Sequence, residues 1–162
     1  MAPQLLQIAA LTLTALGLAP GAAHLMELPV KLGYPPELYA EVTSTLYAWF
    51  GRVGGTVQVA AAVTVAGLAF LVRREPQART IAASAAALVV SLLLWGLLVG
   101  PVNAAWDAAA VATPEARAAV YDGLRLRWEF GHVAAFIAWL AGWLGLAEGV
   151  TRSSRRPSGS AR

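Results

Sequence analysis

Four long stretches without Asp, Glu, Lys or Arg dominate the pattern of the chain, over residues 5–23, 53–72, 80–102 and 130–147. Each is close to the roughly 20 residues that a helix needs to cross the hydrocarbon of a bilayer. With their polar ends included, the predicted spans are 5–27, 53–72, 80–102 and 128–148. Lipid offers no partner to backbone N–H and C=O groups, so a span must bond its own backbone as a helix or close into a barrel. Ala, Leu and Val fill these stretches with no period-two alternation, which excludes the barrel. The predicted fold class is all-α: an integral membrane bundle of four transmembrane helices, forming one domain over residues 1–150, with short interfacial helices on one side.

Those short helices are read from the polar stretches. Pro35-Pro36-Glu37 starts a helix with proline in its first turn. Leu38, Val42, Leu46 and Trp49 then recur at helical spacing, predicting an amphipathic piece in the interface. It meets the second span near Gly51, Gly54 and Gly55. Thr113-Pro114-Glu115 marks another start, with threonine as N-cap, and that helix is expected to end at Asp122-Gly123 before the fourth span. The connection over 73–79 is only a turn, and residues 151–162, rich in Ser and Arg, read as a disordered basic tail. Gly17/Gly21 and Gly96/Gly100 are small-xxx-small pairs suited to close helix approach. Tyr34, Tyr39, Tyr47, Trp49, Trp106, Tyr121 and Trp128 gather at one boundary and are expected to form an aromatic belt.

Composition agrees with a lipid environment: 58% of residues are hydrophobic, 13% are charged, and mean hydropathy is +0.61. A soluble domain carries about 25% charged residues. The absence of cysteine removes disulfides and thiolate chemistry. Charge sets orientation. One side holds Arg73, Arg74, Arg79, Arg152, Arg155, Arg156 and Arg162 against Glu75 and Glu148, a balance of +5. The other holds Lys31, Arg52, Arg117, Arg125 and Arg127 against Glu27, Glu37, Glu41, Asp107, Glu115, Asp122 and Glu129, a balance of −2. The positive-inside rule therefore predicts a multi-pass protein of the cell (inner) membrane with both termini cytoplasmic. The first span is read as retained rather than as a cleaved leader, because residues 1–4 carry no basic side chain. The tail arginines are a topology signal; nucleic acid is not an expected partner, and the oligomeric state is left open.

Both histidines of the chain have a glutamate three residues away: His24-Leu25-Met26-Glu27 ends the first span and Glu129-Phe130-Gly131-His132 begins the fourth. Residues three apart share a helix face, and antiparallel helices bring the two pairs to one depth at the outer end. Asn103, Trp106 and Asp107 reach that level from the third span, and Glu41, Tyr47 and Arg52 from the second. The plainer reading is that Glu27–Lys31 and Arg125–Glu129 are surface i,i+4 pairs, worth little when exposed. Three chemistries fit a His/Glu cluster. One is general base catalysis with glutamate orienting histidine. Another is a metal site on His24, Glu27, Glu129 and His132. The third is bis-histidine haem ligation. Spacing does not choose among them.

At these residues the chain resembles a known family. His24-Leu-Met-Glu27-Leu-Pro29-Val-Lys31, Pro101-Val-Asn103-Ala-Ala-Trp106 and Arg127-Trp128-Glu129-Phe-Gly-His132 are similar to the anthrone oxygenase family of small four-helix membrane proteins. The likeness runs in order from about Leu5 to Ala147. It implies an oxygen-dependent oxidoreductase acting on a hydrophobic aromatic small molecule, anthrone or quinol-like, with no required cofactor. His24 or His132 would be the base, Glu27 and Glu129 the groups that orient them. Asn103 or Arg127 would donate to an oxyanion, and Trp106 and Trp128 would pack against a flat substrate. The alternative is a non-enzymatic membrane protein that binds haem, metal or a lipid-like ligand, or assists a partner complex.

Overall fold

A computed structural model describes residues 2–154. Met1 and residues 155–162, which include Arg155, Arg156, Arg162 and most of the expected tail, lie outside the described residues. The chain forms four helical rods, each long and apolar enough to cross a membrane. The first is α1 (Ala2–Lys31). The second is α2 (Pro36–Trp49), a π-helical turn (Phe50–Gly54) and α3 (Gly55–Leu71), continuous from end to end. The third runs through α4 (Ala78–Leu94), a second π-helical turn (Trp95–Val99), α5 (Gly100–Ala108) and a 3-10 turn (Ala109–Val111). The fourth is the single helix α6 (Pro114–Ser154).

Two expectations about the outer side change. The stretch after Pro36 is not a separate piece but the first half of the second rod. Likewise Asp122-Gly123 does not interrupt α6, although Thr113 caps its start, the hydroxyl accepting from the Ala116 N–H at 3.4 Å. The second rod spans 36 residues and the fourth 41, about 55–60 Å at 1.5 Å per residue. A hydrocarbon layer is about 30 Å thick, so these rods project past it. The apolar stripe of α2 is not its buried face. Tyr39, Ala40, Thr43 and Tyr47 face inward, whereas Leu38, Leu46 and Trp49 face out. In lipid the aliphatic face needs no burial, so the polar and aromatic face turns to the protein.

The core divides by depth. Toward the 73–79 turn it is aliphatic, with Val65, Leu68, Ile81, Leu88 and Leu146 around Trp139. At the other end it is aromatic: Tyr39, Tyr47, Trp106, Tyr121 and Trp128. Five of the seven residues expected in a surface belt are therefore interior. Trp106 stacks on Tyr121 with ring centroids 4.3 Å apart and 6° between planes.

Close approach is made by different glycines than the spacing suggested. Gly17 and Gly21 do lie against Trp139 and Phe136 of α6. Gly96 and Gly100, by contrast, have open space where a Cβ would stand. Gly142, Gly145 and Gly149 of α6 seat Leu88, Ser84 and Ile81 of α4 instead. Polar side chains tie the rods through carbonyls: Trp139 Nε1 donates to Thr14 O, Ser91 Oγ to Ala135 O, and Gln58 Nε2 to Gly17 O.

Candidate functional site

His24 and Lys31 lie seven residues apart, two turns on one face of α1, and both are 2% exposed. Glu129, on α6, is completely buried between them. Its Oε2 lies 3.0 Å from Lys31 Nζ and 3.9 Å from His24 Nδ1, and its Oε1 accepts from the Tyr39 hydroxyl at 3.1 Å. The Lys31 ammonium also reaches His24 Nδ1 at 3.1 Å and lies 4.5 Å from the Tyr47 ring centre. An ionised pair this deep is costly to desolvate, and only close partners on every side make it tolerable. Here those partners are Tyr39, His24 and the negative face of Tyr47.

The hydrogen bonds assign the imidazole protons. The Lys31 ammonium can only donate, so His24 Nδ1 accepts and the His24 proton sits on Nε2. His132 Nδ1 lies 2.9 Å from the Trp128 carbonyl oxygen, which can only accept. Its proton is therefore on Nδ1, leaving Nε2 with the free lone pair. The two rings lie against each other, centroids 4.0 Å apart and 31° between planes. One histidine thus offers a donor and its neighbour an acceptor. Asn103 is fixed by the same logic. Trp128 Nε1 is a pure donor and meets Asn103 Oδ1 at 2.8 Å, so the amide NH2 points elsewhere.

His24, His132, Asn103, Trp106 and Trp128 all line a cavity of about 860 Å³, ample for a drug-sized ligand. It lies between the second and third rods. α2 and α5 each pack against α6, and the cavity occupies the space between them, floored by Gln58, Phe136 and Trp139. Both π-helical turns border it, through Phe50, Gly51 and Arg52 on one side and Trp95 and Gly96 on the other. Such turns often mark functional sites because they re-aim side chains within a helix.

Other sequence-predicted residues stand elsewhere. Glu27 does not touch His24; its nearest partner is Lys31 at 3.9 Å, and its side chain is 44% exposed. Arg127 is outside the cavity. Its guanidinium donates to the Leu98 and Leu97 carbonyls at 3.2 Å each. Pro101 has no N–H to give Leu97, four residues earlier, and Arg127 fills that vacancy. Arg125 is not the partner of Glu129. It pairs with Asp122 at 2.8 Å and donates to the Leu32 and Tyr34 carbonyls at 3.2 and 2.9 Å, closing the end of α1. One face of Trp106 is covered by Tyr121, so that face is not free to stack on a substrate. Glu41 is exposed and meets Arg117 at 4.0 Å.

The metal and haem readings do not fit this arrangement. Among the described residues no group of three or more His, Asp or Glu converges to hold a metal ion. Lys31 already provides the cation between His24 and Glu129. With ring centroids only 4.0 Å apart, the two imidazoles leave no slot for a porphyrin between them. Sequence reasoning missed Lys31, Tyr39 and Arg125. The seven-residue step from His24 was the available signal for Lys31; for Tyr39 there was none, since it meets Glu129 from ninety positions away in the chain. No family model, curated protein or solved structure matches the chain.

Proposed function

We propose that this protein is a membrane-bound oxidoreductase of the anthrone oxygenase kind, taking a lipid-soluble aromatic ketone or quinol-like molecule into the cavity at the outer end of the bundle. The observation that carries the reading is the pair of adjoining histidines in opposite tautomers, lining a cavity large enough for a polycyclic ring system. His132 Nε2 removes a proton from a CH2 group made acidic by a conjugated carbonyl. His24 Nε2–H and the Asn103 amide donate to the enolate oxygen as charge builds on it. The carbanion then adds molecular oxygen, and the resulting peroxide anion takes back the proton held by His132. Loss of water leaves a second carbonyl, so CH2 plus O2 becomes C=O plus H2O. Tyr47 and Trp128 flank His24 and hold its ring in place. In this reading the charge distribution puts both termini in the cytoplasm and the site toward the outer face of the cell membrane.

The test is oxygen uptake by the purified protein in lipid nanodiscs with anthrone, measured above the uncatalysed background. Wild-type protein should consume one O2 per anthrone, and His132→Ala should lower the rate at least 100-fold with the bundle intact by circular dichroism. Unchanged turnover in that variant would remove His132 from the mechanism. A second reading, a ligand-binding protein without turnover, is favoured by the Lys31–Glu129 ion pair, which engages the buried carboxylate within the protein, and predicts anthrone binding with no oxygen uptake.

A further inference from the structure

The cavity has an opening on its side. Gly51, Val59, Trp95 and Gly96 line it and are exposed; Gly51 stands at the boundary of the predicted 53–72 span, and Val59, Trp95 and Gly96 lie within the 53–72 and 80–102 spans. A second hollow of about 530 Å³ runs along the outside of the second rod, bounded by Gly51, Arg52, Gly55, Thr56, Val59 and Ala60. It shares Gly51, Arg52, Gly55 and Val59 with the cavity, so groove and chamber meet at one mouth. Three of the mouth residues, Gly51, Gly55 and Gly96, have nothing within 4 Å of where a Cβ would be. Packing against a neighbouring helix therefore does not explain them. Inside, the nearly fully buried His24 presents an Nε2–H with no hydrogen-bond partner among the described residues.

We infer that this glycine-edged gap between the second and third rods is a lateral portal, through which a lipid-soluble aromatic bearing a hydrogen-bond-accepting oxygen passes from the bilayer to the histidine pair. The route rests on the shape of the bundle; only the ligand's class rests on the proposed function. Physical chemistry favours such a path. A flat apolar ketone concentrates in the membrane, and a mouth at bilayer depth lets it reach the site without crossing water. Gly51 and Gly96 leave the edge of the mouth bare at the two π-helical turns.

The open space at these glycines makes the portal testable without disturbing the fold. The protein in nanodiscs is mixed with 9,10-anthraquinone dissolved in the bilayer, and quenching of the cavity tryptophans is followed by stopped flow. Wild type should show a saturable phase. Gly55→Leu/Gly96→Leu should slow association and dissociation at least tenfold while leaving Kd within about twofold. Val63→Phe, exposed on the second rod and outside the cavity lining, should leave both rates unchanged. Wild-type rates in the double glycine variant, or equal slowing by Val63→Phe, would overturn the portal, as would the lack of any saturable phase in wild type. Normal quenching without oxygen uptake from anthrone would refute the catalytic reading alone.

Discussion

Lys31 is the residue on which the site's electrostatics turn. Its ammonium is the group nearest to both Glu129 Oε2 and His24 Nδ1, so its removal would strand a carboxylate and free an imidazole to change tautomer. Leaving one partner of a buried pair alone costs about 3–5 kcal/mol. Lys31→Met should therefore lower stability by about 3 kcal/mol. Removing the stranded charge as well, in Lys31→Met/Glu129→Leu, should recover most of that loss. Thermal unfolding in detergent measures both; a double variant no more stable than the single one would mean that the pair is not held by mutual neutralisation. The sequence made His24, Glu129 and His132 legible because each His–Glu pair advertises a helix face. It also offered Lys31 as a partner of Glu27 alone, since contacts between α1 and α6 have no local signature. Tyr39, some ninety positions from Glu129 in the chain, was invisible for the same reason.

At the level of elements, the helices were legible and their continuity was not. A polar stretch such as 113–127 reads as a separate piece, yet α6 passes through it unbroken because Trp128, Tyr121 and Arg125 still find interior partners there. The small-xxx-small motif proved equally dependent on context. A Cβ on Gly17 would lie 2.6 Å from Trp139 Cζ2, and that ring is held by its bond to the Thr14 carbonyl and is wholly buried. A Cβ on Gly96 would meet nothing. Overpacking a rigid neighbour costs about 1–3 kcal/mol, whereas alanine in place of an unpacked helical glycine gains about 1 kcal/mol. Gly17→Ala should thus lower the unfolding temperature, and Gly96→Ala should hold or raise it, though the two motifs look alike in sequence. Equal effects from the two changes would show that the spacing, and not the neighbour, governs packing.

For the whole molecule, four rods put the described ends of the chain on one side of the membrane, but only charge says which side that is. The fold sharpens the count. Of the five cations assigned to the outer end, Lys31 and Arg125 are buried in the protein, and Arg127 spends its guanidinium on two backbone carbonyls. Arg52 and Arg117 remain as exposed or half-exposed charges, and Arg117 faces Glu41. At the opposite end Arg73, Arg74, Arg79 and Arg152 are all exposed, and the short 73–79 connection is the kind of loop on which the positive-inside rule acts most strongly. A reporter fluorescent only in the cytoplasm should therefore glow when fused after Arg162, and one active only outside should stay silent. Replacing Arg73, Arg74 and Arg79 with glutamine removes the cations of that loop, and should give a mixed population in which the outside reporter gains activity. A wild-type fusion with the outside reporter active would invert the molecule and place the histidine cavity toward the cytoplasm. The chemistry proposed for the cavity would survive that inversion, because a ligand that arrives through the bilayer meets the same portal from either orientation.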